Sequence, residues 1–249
     1  MHPVRKNGIT ADWRCRYSGC VLSRPRLRRV WSRAMASATM QLHLAGMRFA
    51  SCTVTSFFAF SSMQHTRQST YPITPQFLER SSPRALVPEP LQRAQVEQIV
   101  EAARWAPSAN NLQPWHFAYA LRGDAHWDAF CTIPNAFNRR WCLNAGALVV
   151  VLSNPEASAG KHAFDTGCAW GFMALEAHNM GLATHAMAGI EMDAARSVLQ
   201  LPEHWTVQAV IAVGRRGDPA SLPEDLAARE VQSPRKPLHE ILSAGPLKA

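Results

Sequence analysis

At 249 residues and 47% hydrophobic content, the chain can bury one good core, and its formal net charge of +8 at pH 7 raises the question of a nucleic-acid or membrane partner. Residues 1–70, however, hold ten arginines and one lysine against a single acid, Asp12, so the remainder is slightly acidic. Because that remainder has no Lys/Arg stripe interleaved with aromatics, nucleic-acid binding is not expected, and the apolar stretch at 40–60 is too polar to predict a membrane partner.

The first 70 residues are predicted to form a leader outside the folded domain. They alternate arginine-rich patches with the mildly apolar stretch and show no sustained helix or strand period. Three interpretations stay open: a cleaved presequence, a weak secretory signal, and translated sequence upstream of the true start, with Met63 as an internal start. The third is favoured, and residues 71–249 are expected to form the folded domain.

Two helices are predicted before residue 107. Thr74 and Pro75 indicate the N-cap and first position of a short helix that leads into Arg80. The second helix begins near Pro90 and must end before Pro107, because the residue before a proline is pushed out of the helical region. The second helix places four apolar residues on one face: Val96, Ile99, Val100 and Ala103.

Four strands are predicted in the rest of the chain. The patterns at 115–121, 184–187 and 206–213 indicate strands. The run ALVVVL at 147–152 is short, continuous and β-branched, which predicts a central strand buried on both faces of a sheet.

Helices are predicted between and after these strands. Residues 162–180 indicate the longest helix, which is rich in small residues and stops at Gly181. Asp193 is expected to cap a short helix to Leu199. The segment beyond Gly214 is predicted to be too polar for the core. Its last apolar residues are expected to lie on a dimer partner: Leu238, Ile241 and Leu242.

The sequence lacks the motifs of several enzyme classes. The chain has no GxGxxG, GxxxxGK, GxSxG or HExxH pattern and no zinc-like Cys/His spacing, so no metal site and no catalytic side chain are predicted. Its six cysteines form no CxxC pair, and free thiols in a reducing compartment indicate a cytoplasmic protein. If the chain is an enzyme, the absence of these motifs predicts that its chemistry resides in a bound cofactor.

Residues 103–117, ARWAPSANNLQPWHF, are the most informative segment. A helix broken at Pro107 is followed by small and amide side chains and then by a strand, which builds a polar ledge between two rigid elements. The ledge suits a heterocycle with alternating N–H and C=O groups. Its predicted binding residues are Ser108, Asn110, Asn111 and Gln113.

A second polar segment is ERSSPRA, residues 79–85. Arginine supplies a permanent charge and forked donors, serine hydroxyls add short hydrogen bonds, and a second arginine can face an anion elsewhere on the same ligand. The segment therefore suits a phosphate monoester, but such a cluster taken alone is usually a solvated turn, and a ligand role is the less common interpretation. Its candidate residues are Arg80, Ser81, Ser82 and Arg84.

Taken in order, these segments resemble the nitroreductase family over nearly all of residues 74–245. ERSSPRA is similar to the family's Arg-x-Ser-x-Arg/Lys opening, and APSANNLQPWHF to its Pro-Ser-x-x-Asn-x-Gln-Pro-Trp segment. The similarity continues through NRRWCLNAGALVVVLS, GLATHAMAGIEMDAARSVLQLP and the basic C-terminal motif SPRKPLHEIL. The resemblance implies an α+β sandwich with a central mixed sheet flanked by helices, in a homodimer whose interface holds two FMN molecules.

The resemblance also implies roles for the matching residues. Arg80 and Ser82 would bind the ribityl phosphate, with Arg235 and Lys236 closing over it. Arg84 would face the pyrimidine edge of the ring. Asn138 would also meet the pyrimidine edge. Ser108, Asn110 and Asn111 would reach the flavin from the other subunit, and the backbone of Ala188 and Gly189 would approach flavin N5.

Physical arguments support two of these roles. Reduction places negative charge near flavin N1 and O2, so a fixed Arg84 there would favour the reduced form. Gly189 would let a peptide N–H come close to N5.

Two positions depart from the family: Ala188 replaces an acidic side chain that some members carry, and Ser233 replaces a phosphate-binding lysine.

The function that the resemblance implies is hydride transfer from NADH or NADPH through FMN to a small acceptor, such as a nitroaromatic or a quinone. The alternatives are a flavin-binding or storage protein with little turnover, a same-fold reductase, dehydrogenase or dehalogenase with another acceptor, and a member that has lost flavin. Trp105, Trp115 and Cys168 are assigned to packing. Asp165 is expected either to cap its helix or to pair across the dimer.

Overall fold

A computed structural model describes residues 67–247, and the structural statements below concern that part of the chain. The predictions made for residues 1–66 lie outside the described residues. The described residues all belong to one compact unit.

The described chain alternates helices and strands irregularly, which confirms the predicted α+β class. Short 3-10 turns lie at Ala109–Asn111 and Pro219–Ser221. The helices and strands follow in this order: α1 (Gln76–Glu79), α2 (Arg93–Arg104), β1 (Trp115–Leu121), α3 (Trp127–Phe130), α4 (Ala136–Cys142), β2 (Ala147–Ser153), α5 (His162–Asn179), β3 (Ala183–Met187), α6 (Met192–Leu199), β4 (Thr206–Gly214), α7 (Glu224–Ala227) and α8 (Leu238–Ile241).

The four strands form one sheet in the order β1-β2-β4-β3. Its register pairs Val150 with Ala118 on one side and with Val210 on the other. All three pairings are antiparallel, whereas a mixed sheet was predicted. Burial of a strand on both faces does not distinguish the two kinds of sheet here, because helices cover both faces and bury an antiparallel strand as fully as a parallel one. All seven residues of β2 are buried, which confirms the predicted central strand.

Alternate residues of β2 face two separate layers of core. Leu148 and Val150 pack with Trp141 of α4 and with apolar residues of α3, α6 and α7. Val149 packs on the opposite face with Ile99 of α2 and Met173 of α5. The period-two alternation of a strand thus places helices on both sides of the sheet.

Two predicted helix caps are wrong. Helix α1 has Pro75 rather than Thr74 as its N-cap residue. Helix α6 begins after Glu191, and Asp193 lies inside its first turn. The backbone N–H of Glu191 donates to Ile133 O at 2.8 Å, so a long-range contact fixes the entry to α6 before residue 193 is reached.

Other boundaries shift for local reasons. Helix α2 begins at Arg93 rather than near Pro90, since the Gln95 side chain accepts from the Gln92 N–H at 2.9 Å and fixes the first turn.

Gly181 ends α5 as predicted: its φ is 72°, its N–H donates to His178 O, and the next N–H donates to Ala177 O.

Residues 122–140 contain α3 and most of α4, and α4 is capped by Asn135. Two expectations about burial are corrected. Leu222 and Leu226 are buried, although the segment beyond Gly214 was expected to stay out of the core. Trp105 is 70% exposed rather than packed, because its ring lies along the end of α2, donating to Glu101 and lying under Arg104.

Trp115 and Cys168 are partly buried against the core, as their assignment to packing predicted. None of the helices that the structure describes is long and apolar enough to cross a membrane.

Candidate functional site

The structure brings the ERSSPRA turn and Arg235 together in one pocket of about 450 Å³. Backbone contacts hold the turn beside the end of β4: Val87 N–H donates to Arg215 O, and Gly217 N–H donates to Ala85 O. The four candidate residues of the turn, Arg80, Ser81, Ser82 and Arg84, all line this pocket.

The pocket is strongly cationic, since the described residues that line it include six arginines and one acid, Glu230. Burial and the charges of Arg67 and Arg235 lower the pKa of Arg80, and burial and Arg235 lower the pKa of Arg67. Guanidinium groups that lie close enough to repel one another are complementary to a multiply charged anion.

Hydrogen bonds fix several of these cations in place. Arg67 donates to Arg80 O at 2.8 Å and to Ser233 O at 3.0 Å. Arg80 donates from Nη1 to Ser82 Oγ at 3.2 Å, and Arg216 donates to Ser81 Oγ. Ser233 therefore binds a cation from the opposite end of the described chain.

Arg84 is held differently from the other arginines. Its backbone N–H donates to Glu230 Oε1 at 2.8 Å, and its Nη1 lies 3.7 Å from the same oxygen. Its Nε is buried and has no hydrogen-bond partner among the described residues. A buried donor without a partner is costly, so this atom is suited to a ligand.

His185 of β3 lies beside Arg84 in the pocket wall. Its Nδ1 donates to Pro83 O at 3.2 Å, and its ring centroid lies 4.5 Å from that of the buried Trp141. Burial lowers the pKa of His185, and the charge of Arg84 lowers it further. The imidazole is therefore neutral in the folded protein at neutral pH.

The polar ledge adopts an unusual backbone. Asn110, Asn111 and Gln113 have φ values of 51°, 56° and 48°, which are left-handed and rare for residues other than glycine. Ser108 Oγ accepts from Gln113 N–H at 3.0 Å, and the buried Asp165 accepts from Ala109 N–H at 3.1 Å. Asp165 thus anchors the ledge. A backbone held in this conformation by its surroundings is typical of ligand-binding loops.

The ledge does not reach the cationic pocket within one chain. None of Ser108, Asn110, Asn111 and Gln113 lines that pocket, and the last three are exposed. Lys236 also lies apart, in a neighbouring pocket of about 580 Å³ that it shares with Arg235. Within the described chain, the ledge and the cationic pocket are therefore separate polar surfaces.

Asn138 and Gly189 meet at a third point. Asn138 donates from Nδ2 to Gly189 O at 3.1 Å, and Asn135 N–H donates to the same oxygen at 3.0 Å. A Cβ on residue 189 would lie 2.4 Å from Asn135 Nδ2, so only glycine fits without a shift. Ala188, the preceding residue, is exposed.

Four of the charged residues that line the pocket were missed by the sequence analysis: Arg67, Arg216, Arg229 and Glu230. Arg67 lies upstream of the segments that match motifs, and Glu230 lies between the last strand and SPRKPLHEIL. The imbalance between six arginines and one acid among the described lining residues becomes visible only in the folded chain, so no local sequence pattern identified these four residues.

The chain belongs to the nitroreductase family, whose family model matches residues 77–215. A solved structure described as an oxidoreductase containing FMN is 38% identical, with a TM-score of 0.71 over 74% of this chain and 97% of that one. A candidate nitroreductase from Desulfovibrio desulfuricans, solved in complex with FMN, is 25% identical, with a TM-score of 0.57 over 72% of this chain and all of that one.

A curated protein of Archaeoglobus fulgidus is 30% identical over 128 residues, which are 48% of this chain and 71% of that protein. It is named as a candidate NADH dehydrogenase/NAD(P)H nitroreductase. These similarities agree with the resemblance found in the motifs.

Proposed function

We propose that the chain binds FMN and transfers hydride from NADH or NADPH through it to a small acceptor, such as a nitroaromatic or a quinone. The observation that carries the proposal is the convergence of ERSSPRA and Arg235 in a pocket with six arginines and one acid. The FMN named for two similar structures and the nicotinamide nucleotides named for the Archaeoglobus relative support the same cofactors.

The donor set of the pocket fits FMN. Arg80, Ser82 and Arg235 would hold the phosphate, because charge-assisted hydrogen bonds from forked donors match phosphate oxygens. Ser81 would contribute through the hydroxyl that Arg216 already orients. Arg84, with its unpartnered buried Nε, would face the pyrimidine edge.

When bound, FMN supplies the chemistry, since its ring accepts a hydride and passes it on. The chain's own residues position the ring. Gly189, whose carbonyl is bound by Asn135 and Asn138, would present its peptide to N5, with the exposed Ala188 beside it. Arg84 would stabilise negative charge at the pyrimidine edge. No side-chain acid or base is required.

A homodimer would complete the site. The ledge residues Ser108, Asn110, Asn111 and Gln113 would reach the flavin of the second subunit. An apolar face of α5 that the other described residues leave open supports this: Phe164 is 78% exposed, and a Cβ at Gly167 or Gly171 would meet nothing within 4 Å. Small residues beside an exposed aromatic ring suit close approach of a second copy.

The full chain tests this proposal after purification and incubation with FMN. We expect the protein to retain FMN through gel filtration and to oxidise NADH or NADPH when a quinone or a nitroaromatic is added. Arg80→Gln should lose FMN, whereas Arg93→Gln, an exposed arginine paired with Glu97 on α2, should retain it. A flavin-loaded chain that turns over neither nucleotide would favour a flavin-storage protein, and a chain that takes up no FMN would refute the proposal.

A further inference from the structure

Glu230 is the one acid among the described residues that line the cationic pocket. It lies between α7 and SPRKPLHEIL, beyond the residues that match the family model. Its side chain is only 6% exposed. A buried carboxylate is costly unless it is paired, so its position calls for an explanation.

The contacts of Glu230 converge on Arg84. One oxygen, Oε1, accepts from the Arg84 backbone N–H at 2.8 Å and lies 3.7 Å from Arg84 Nη1. The carboxylate thus binds the main chain of Arg84 by a hydrogen bond and forms an ion pair with its guanidinium, whose Nε has no hydrogen-bond partner among the described residues. The side chain of Arg84 is 19% exposed, so the pair is largely screened from water.

We infer that Glu230 is a positioning residue that holds Arg84 against the pyrimidine edge of the flavin and partly cancels its charge. The inference rests on the proposed function. A lone arginine beside N1 and O2 would strongly favour reduced flavin, whereas a carboxylate on the same guanidinium weakens that preference. Glu230 therefore keeps the flavin a stronger reductant than Arg84 alone would allow.

Glu230→Gln separates the two effects, because the amide oxygen can still accept from the Arg84 N–H while the charge is lost. In the FMN-loaded full chain we expect the binding ratio of reduced to oxidised FMN to rise about tenfold, a shift of about +30 mV in the two-electron midpoint potential. Spectroelectrochemical titration measures it. The control is Glu224→Gln, an exposed acid on the neighbouring helix α7, which should leave the potential unchanged.

Glu230→Ala removes the hold as well as the charge. We expect it to weaken FMN binding about tenfold in the wild-type background and to add no further loss in Arg84→Ala, since residues that act through one another are not additive. FMN fluorescence quenching measures these affinities without turnover.

An unchanged potential in Glu230→Gln, or equal losses from Glu230→Ala in both backgrounds, would overturn this inference while a flavin-loaded wild type preserved the proposed function. A wild-type chain that binds no FMN would overturn both.

Discussion

The side-chain amide of Asn138 donates to the carbonyl oxygen of Gly189 at 3.1 Å. Asn138 itself is placed by the cap of α4, where the Asn135 side chain accepts from the Asn138 N–H at 3.0 Å. Helix α4 and the chain after β3 are thereby locked to each other. The peptide proposed to face flavin N5 is held by two asparagines of one short helix.

Gly189→Ala should disturb this arrangement directly. Its Cβ would lie 2.4 Å from Asn135 Nδ2 and 2.8 Å from Asn138 Nδ2, so both amides must move. We expect a loss of about 1–3 kcal/mol in the free energy of unfolding, typical of overpacking. We also expect FMN binding about tenfold weaker, because the displaced peptide no longer fits the ring. Urea unfolding and FMN titration measure the two effects, and unchanged values would show that the site tolerates a side chain.

Arg80→Gln and Arg235→Gln should discriminate between FMN and riboflavin. Both arginines are proposed to bind the phosphate, which riboflavin lacks. We expect each substitution to weaken FMN binding about tenfold or more and to change riboflavin binding less than about threefold. Flavin fluorescence titration measures both ligands. Equal losses for the two flavins would mean that these arginines do not contact the phosphate.

The local elements of the fold could be predicted from the sequence, but the long-range contacts could not. Strand β1 was predicted to the residue and α5 to within one, because period-two alternation and a glycine stop are local signals. The start of α6 was misplaced, since a backbone contact with Ile133 determines it.

The same limit applies to the site. ERSSPRA and the ledge were visible as polar runs beside helix and strand ends. Arg67, Arg216 and Glu230 were not, because their partners Ser233, Ser81 and Arg84 are 166, 135 and 146 residues away. No local pattern identifies a contact of that separation.

Phe164→Glu should separate the subunits of the proposed homodimer. The ring is 78% exposed on α5, and a carboxylate there would have to be buried if a second copy covers it. We expect the dimer dissociation constant to rise about tenfold or more, with loss of FMN as the shared site opens. Sedimentation velocity measures the change.

Met192→Glu on α6, where the side chain is 46% exposed, is the matched control and should remain dimeric. A wild-type chain that sediments as a monomer would contradict the homodimer.

His185 should make stability depend on pH. Burial, assisted by the charge of Arg84, lowers its folded-state pKa below the usual 6.5, while the Pro83 carbonyl and Glu230 act in the opposite direction. The unfolded chain therefore binds the proton more readily. The contribution of the neutral imidazole is complete above about pH 6.5 and is lost as the pH falls toward the folded-state pKa.

Thermal unfolding at about pH 7.5 and about pH 5.5 tests this dependence. We expect the melting temperature of wild type to fall more between the two than that of His185→Gln, which keeps a donor for Pro83 O but does not titrate. Parallel losses in the two proteins would assign the pH dependence to other groups.

The most direct test of the proposed function is the anaerobic visible spectrum of the FMN-loaded full chain before and after one equivalent of NADH or NADPH. Hydride transfer predicts that the yellow flavin absorbance bleaches with one of the nucleotides and returns when a quinone or a nitroaromatic is added. A flavin that bleaches with dithionite but with neither nucleotide would contradict the account.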